Sequence, residues 1–457
     1  MSDFDADAFV FFGATGDLAR KQVFPALQAL IKEEDLDVPI IGVAGRSWTD
    51  GELRDRARES LAEHGVVDDD AVALLTRRLH YVHGDYHQDT VYRRLRRRLG
   101  KAARPLIYLA IPPSLFETVV EGLAREECTA GARVVLEKPF GRNLASAREL
   151  NEVLRRHFPE NAIYRIDHYL GKEPVQNILY TRFANPVFEP IWDRVHVRSI
   201  QITMAEDFGV GDRGGFYDEV GTLRDVVQNH LLQVLAAVTM DAPTGRNDVR
   251  DERSRLLKAV RPLEPGAVVR GQYSSYRSAP HVAPASTTET YVAVRCYIDT
   301  WRWTGVPVFI RAGKMLPVTT TEVVVEFERP PLAVFEDIVP GLSSHIRFRI
   351  SPDIAIALGV RVKETGEQMI GKDVELTLVR QAVDDLPPYQ RLLGDAMQGQ
   401  QDLFAREDAV EAQWRIVENV LDDASPLYTY EPGTWGPEEA AELIGADGPW
   451  HDPSGPT

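Results

Sequence analysis

The sequence predicts an α/β protein with an added α+β part: an N-terminal doubly wound parallel sheet of Rossmann type, then a C-terminal domain built on a large, mainly antiparallel sheet with helices. Three observations carry this. The first is an apolar run, Phe9 to Phe12, that ends in Gly13-Ala-Thr-Gly16 and opens a helical pattern. The second is the alternation of short apolar runs with helix-like segments up to about residue 180, which implies parallel strands with crossover helices. The third is a change of period beyond that point. There "VRSIQITMA", "TYVAVRCYID", "EVVVEFE", "HIRFRISP" and "DVELTLVRQ" alternate apolar and polar residues, as strands with one covered face do. The expected division is 1–180 for the first domain and 181–457 for the second.

The elements follow in order. After the turn, Leu18, Val23, Ala26, Leu27, Leu30 and Ile31 recur at helical spacing from Asp17, and "VPIIGVAGR" is the second strand. Segments 51–63 and 68–100 read as helices around a strand at "LHYVHGDY". "RPLIYLAIPP" is a strand followed by a helix for which Ser114 is the expected N-cap. "ARVVLEKPFG" is a strand ending in a Lys-Pro turn, and after a helix over 144–157 comes the strand "AIYRIDHYL". Further on, "EVGTLRDVVQNHLLQVLAAVTM" reads as one long helix.

Bulk properties narrow the class. A chain of 457 residues exceeds one ordinary core. A net charge of −17 weighs against nucleic acid and anionic membranes, and it requires a local cationic pocket for any anionic substrate. No apolar run is long enough for a membrane span. The N-terminus "MSDFDADAF" lacks a basic region, and Cys128 and Cys296 are unclustered. These features lead to the expectation of a cytoplasmic protein without disulfides or metal.

Of 52 basic residues, nine are Lys, so a Lys in a tight motif draws notice. The turn Gly13, Gly16, Ala19 has the G-x-x-G-x-x-A form, in which glycines admit a pyrophosphate at a helix N-terminus. The second strand ends in Arg46 and Ser47 where an NAD site usually has a carboxylate, so NADP is expected, with NAD a weaker alternative. Lys138 crowns the strand edge at which such sheets bind ligands, placed to reach a nicotinamide and a substrate hydroxyl. Asp167, His168, Tyr169 and Lys172 crown the same edge, with donors suited to a phosphate. His230 lies on or beside an apolar helix stripe and becomes a base if a carboxylate such as Asp167 orients it.

With those residues in place, the chain resembles the glucose-6-phosphate dehydrogenase family. "GATGDLARK", "EKPFG", "RIDHYLGKE", "GGFYDEVGTLRDVVQNHLLQ" and "RAGKML" follow the family's order and spacing, and the likeness runs on through "PPYQRLLGDAMQGQQDLFAREDAVEAQWRI" to "EEAAEL". The resemblance implies NADP-dependent oxidation at carbon 1 of glucose 6-phosphate, on a fold that self-associates as a dimer or tetramer. It implies His230 as general base, Asp167 as the carboxylate that orients it, and His168, Tyr169 and Lys172 around the sugar phosphate. It implies Lys138 between substrate and cofactor, Glu206, Asp225 and Lys314 on the sugar, and Gly13, Thr15, Gly16, Asp17, Leu18, Arg46 and Ser47 on the cofactor. Two positions depart from the family pattern, Gln22 and Thr319, where relatives commonly carry a cation near the substrate. They leave two alternatives open: another sugar or sugar phosphate, or a non-catalytic NADP-binding paralogue.

Overall fold

A computed structural model describes residues 5–34, 36–64, 67–245, 248–332, 334–335, 344–381 and 387–454. The chain divides into two compact units, Met1–Lys172 with Asp385–Glu411, and Glu173–Asp384 with Ala412–Thr457. A single crossing near residue 180 is the simpler expectation. The later return to the first unit has a packing cause. The helix Pro388–Gln398 carries Leu392, Leu393, Ala396 and Met397, and these join the apolar core around Leu27, Leu30 and Phe9.

In the first unit six parallel strands are β1 (Ala8–Phe12), β2 (Ile40–Ala44), β3 (Leu79–His83), β4 (Pro105–Leu109), β5 (Arg133–Glu137) and β6 (Ile163–Ile166). Their order is β3-β2-β1-β4-β5-β6. That is the doubly wound dinucleotide order, with its switch point between β1 and β4. β1, β2 and β4 are buried along their whole length, as strands covered on both faces must be. The helix Leu144–Arg155 starts on a capping box, with Asn143 Oδ1 accepting from Ser146 N at 2.9 Å. Ser114 does not cap a helix. It lies within the short turn Pro113–Leu115, and the helix proper runs from Phe116 to Arg125. Pro112 and Pro113 delay the α-helix by presetting that tighter turn.

The second unit contains a nine-stranded sheet. Its strands are β7 (Val197–Ala205), β8 (Val268–Tyr273), β9 (Tyr291–Cys296), β10 (Val308–Gly313), β11 (Thr320–Phe327), β12 (His345–Ser351), β13 (Ile354–Lys363), β14 (Gly371–Gln381) and β15 (Leu427–Tyr430). The order is β14-β13-β12-β11-β7-β10-β9-β8-β15. Pairing is antiparallel except for β7 with β10 and β8 with β15.

The expected long helix is instead three segments, Gly214–Thr222, Leu223–Leu231 and Leu232–Thr239. Gly221 breaks it, with φ +68° and ψ 170°. A Cβ there would stand 2.5 Å from Glu289 Oε1. Glu289 occupies the space and accepts the Leu223 backbone N–H at 3.0 Å, satisfying a donor of the new helical start. Two tryptophans hold the far end: Trp192 Nε1 donates to Val238 O at 2.7 Å and Trp303 Nε1 to Thr239 O at 2.6 Å. Among the described residues no helix is long and apolar enough to cross a membrane.

Candidate active site

The dinucleotide turn is built by close approach. Gly13 adopts φ +78°, and a Cβ on it would meet Ala110 O at 2.1 Å, so only glycine lets β1 end against β4. Gly13 N donates to Val43 O at 2.9 Å, and Gly16 N closes the turn on Gly13 O at 2.9 Å. Gly16 and Asp17 are exposed, whereas Thr15 and Leu18 are half-buried. The helix then opens with a wider i→i+5 stretch over Ala19–Val23. Gln22 lies in this stretch, half-buried. Arg46 and Ser47 stand exposed after β2, with the Arg46 guanidinium 5.7 Å from the centre of the Trp48 ring. A glycine cradle at a helix start, followed by an exposed cation and hydroxyl, fits a dinucleotide that carries an extra phosphate.

At the end of β5 the Lys138–Pro139 bond is cis, and Lys138 is half-buried. Glu137, the preceding residue, accepts the Tyr108 hydroxyl at 2.5 Å. Tyr389, on the returning helix, bonds the same carboxyl. Burial pushes this carboxyl up to about 7, against the opposing pull of both tyrosine hydroxyls and of the Lys138 charge, while Asp167 adds to the rise. Glu137, Lys138 and Asp167 therefore share one electrostatic neighbourhood. Sequence reasoning missed the two tyrosines, since nothing local ties positions 108 and 389 to 137.

The charged run after β6 separates into distinct jobs. Arg165 is wholly buried and donates to Glu160 at 2.8 Å and Asn151 at 3.0 Å, which makes it a structural residue. Asp167 is 3% exposed, and its Oδ1 accepts the Tyr169 N–H at 3.0 Å. Three successive turn bonds, Leu170 N to Asp167 O, Gly171 N to His168 O and Lys172 N to Tyr169 O, wind the segment tightly. The winding puts the Lys172 ammonium 4.0 Å over the Tyr169 ring and the His168 ring 5.2 Å from it, edge on. His168 and Lys172 are thus gathered on one aromatic platform.

In the second unit, Glu206 and Lys314 directly follow β7 and β10, the parallel pair in which Ala205 faces Gly313. That register places their side chains together, and Lys314 Nζ forms an ion pair with Glu206. The ammonium lies 5.2 Å from the Phe208 ring and 5.0 Å from the Tyr217 ring. Burial holds the Tyr217 hydroxyl well above its ordinary pKa, and the negative charges of Asp225 and Glu206 add to it. Asp225 thereby joins Glu206 and Lys314. Thr319 makes a reciprocal pair with Asp207, accepting its backbone N–H at 3.0 Å and donating to its carboxylate.

His230 is 2% exposed and sits with Asp225 in the segment Leu223–Leu231, which has the i→i+5 ladder. In an α-helix of 3.6 residues per turn, residues five apart diverge by about 140°. In the wider ladder they stack on one face, and such stretches recur at functional sites. Asn229 maintains the widening: its Oδ1 accepts the His230 N–H at 2.6 Å and its Nδ2 donates to Arg224 O at 2.9 Å. Gln413 braces the turn from outside by donating to Asn229 O at 3.1 Å.

Comparison with known proteins accounts for both halves. Residues 10–177 match the model of the glucose-6-phosphate dehydrogenase NAD binding domain, and residues 179–451 match that of its C-terminal domain. The chain belongs to the glucose-6-phosphate dehydrogenase family. Glucose-6-phosphate 1-dehydrogenase 1 of Mycobacterium tuberculosis is 46% identical over 451 residues, covering 98% of this chain and 97% of the relative. The crystal structure of glucose-6-phosphate 1-dehydrogenase from Mycobacterium avium superposes with a TM-score of 0.92 at 46% identity, covering 99% of this chain and all of that one. A glucose-6-phosphate dehydrogenase in complex with its substrate glucose-6-phosphate gives 0.89 at 33% identity, covering 98% and 99%. As a dehydrogenase of this family the protein is an oxidoreductase.

Proposed function

We propose that the protein oxidises D-glucose 6-phosphate at carbon 1 to 6-phospho-D-glucono-1,5-lactone, the entry to the oxidative pentose phosphate route. The observation that supports this most is family membership over both domains, combined with the presence of His230 and Asp167 and of the cations Lys138, Lys172 and Lys314. Bound NADP supplies the acceptor for the hydride that leaves carbon 1.

The chain's own residues do the rest. His230 takes the proton from the carbon-1 hydroxyl, and the Asp167 carboxylate stabilises the imidazolium that forms. Asp167 is fixed for this by its bond from Tyr169 N. His168, Tyr169 and Lys172 hold the sugar phosphate, where charge-assisted donors are strongest. Glu206 and Asp225 accept from sugar hydroxyls, Lys314 orients Glu206 and donates to the sugar, and Lys138 spans substrate and nicotinamide. Gly13, Thr15, Gly16, Asp17 and Leu18 form the pyrophosphate turn, and Arg46 and Ser47 favour the 2′-phosphate of NADP over NAD.

Residues 1–180 form the dinucleotide-binding domain, whose strand edge also supplies Lys138, Asp167, His168, Tyr169 and Lys172 to the substrate. Apart from the segment Asp385–Glu411, which returns to the first unit, residues 181–457 form the domain of the other substrate contacts and of self-association as a dimer or tetramer. Val362, Met369, Ile370, Leu376 and Leu378 support the last point, since they expose an apolar patch on and between β13 and β14. The two cysteines, both free and buried, suit a reducing cytosol.

The test is reduction of NADP by glucose 6-phosphate in purified protein and in His230→Ala. Turnover should fall by roughly two to four orders of magnitude, with much less change in sugar-phosphate binding. Intact turnover in the variant rejects the assignment. Gln22 and Thr319 favour one other reading, a different sugar phosphate. A substrate panel compared by kcat/KM decides between them.

A further inference from the structure

The corner after β2 is supported by β3 more closely than the dinucleotide reading requires. His83 ends β3 directly opposite Ala44, the last residue of β2. Two positions earlier on β3, the Tyr81 hydroxyl donates to Ala44 O at 3.1 Å and to Arg46 O at 2.6 Å, tying down the backbone that carries Arg46 and Ser47. His83 Nε2 lies 3.3 Å from Ser47 Oγ. Its ring is half-buried, whereas Arg46 and Ser47 are exposed. From behind, Arg94 Nη1 donates to the His83 carbonyl at 3.0 Å.

A cavity of about 540 Å³ opens here, lined among others by Trp48, His83, Arg94, Arg97 and Arg98. Its one carboxylate is turned to other work: Asp50 Oδ1 accepts the Tyr81 N–H at 2.8 Å, and Oδ2 pairs with Arg98 at 3.5 Å. The Glu52 carboxylate is likewise engaged, accepting from Thr49 N at 2.7 Å and Thr49 Oγ1 at 2.9 Å. Both carboxylates are thus already held by neighbouring groups, whereas Arg46, Ser47 and His83 offer cations and donors, the complement of a phosphate.

We propose that His83 is a coenzyme-selecting residue whose Nε2 joins Ser47 Oγ and the Arg46 guanidinium in holding the 2′-phosphate of a dinucleotide. The Ser47–His83 contact holds the two groups side by side. A phosphate replaces the one hydrogen bond between them with two, accepting from the Ser47 hydroxyl and from a protonated His83 Nε2 whose side-chain freedom is already reduced. The inference rests on the coenzyme reading of Arg46 and Ser47 and adds to it a residue from a different strand.

Calorimetric binding to the full-length protein separates the two. The ligands are adenosine 2′,5′-bisphosphate, which carries the 2′-phosphate, and NAD, which lacks it. His83→Phe keeps the ring's bulk and removes both nitrogens. It should weaken the bisphosphate about tenfold, the loss of one charge-assisted hydrogen bond, and leave NAD unchanged. His83→Gln restores a donor near Nε2 and should recover most of the affinity. If His83→Phe leaves the bisphosphate as tight while Arg46→Ala weakens it, this inference falls and the coenzyme reading stands. If His83→Phe weakens both ligands alike, the residue is merely structural and the inference also falls. If Arg46→Ala has no effect on the bisphosphate, the coenzyme reading fails and takes the inference with it.

Discussion

The Tyr108 hydroxyl donates to the Glu137 carboxylate at 2.5 Å, at the strand end that carries Lys138. Burial raises this carboxyl to about 7, so in the folded protein it keeps a proton that the unfolded chain has already lost. Between the ordinary carboxylate range and neutrality the native state binds more protons than the unfolded state, and stability falls as pH rises through that window. Glu137→Gln mimics the protonated form. Its stability should lack this fall, so thermal unfolding between about pH 5 and 8 should converge with wild type at the acid end and exceed it by about 1–3 kcal/mol at the alkaline end. Parallel curves over the whole range contradict the assignment.

Gly221 is the joint on which the Asp225–His230 segment turns. A Cβ there is opposed twice, by φ +68° and by the Glu289 carboxylate at 2.5 Å. Gly221→Ala should therefore lower stability by about 1–3 kcal/mol. Displacing Glu289 also releases the Leu223 N–H and disturbs the widened helix, so turnover measured well below the melting temperature should fall as well. Unchanged denaturation midpoint and unchanged kcat count against the role of this joint.

These two cases mark what sequence reasoning reaches. The turn at Gly13, the cation at Arg46 and the edge residues Lys138 and Asp167 to Lys172 are legible because strand–turn–helix order alone sets them at the carboxyl ends of parallel strands. The break at Gly221 is not, because a lone glycine is tolerated inside a helical pattern. What converts it to a joint is Glu289, 68 positions later. Tyr389 and the return of Pro388–Gln398 are hidden for the same reason: an amphipathic stripe states that a core exists and not which one. Lys314 and Glu206 became a pair only through the parallel register of β7 and β10, strands more than a hundred residues apart.

Arg165 shows the converse, a charge inside the most informative motif that serves the fold. It is wholly buried and held by Glu160 and Asn151. Arg165→Ala strips the partner from a half-buried carboxylate and leaves a cavity under β6, so a loss of about 3–5 kcal/mol is expected. KM for both substrates in the fraction that remains folded should stay near wild type. A variant that keeps its stability but loses sugar-phosphate affinity would move Arg165 into the binding site.

The Lys314–Glu206 pair offers a sharper test because the two side chains are proposed to act as a unit. Lys314 is 8% exposed and lies between the Phe208 and Tyr217 rings. Its ammonium is therefore poorly screened, and its attraction to Glu206 exceeds that of a surface pair. Lys314→Met keeps the packed stem and removes the charge, and should raise KM for glucose 6-phosphate about tenfold or more. Glu206→Gln should raise it less, since an amide oxygen still accepts. In the double variant the two penalties should overlap, leaving an interaction of about 1 kcal/mol or more in the cycle, because each single change already leaves the other group misplaced. Strict additivity in kcat/KM would mean that the two residues meet the sugar independently, and that their pairing at the ends of β7 and β10 has no part in binding.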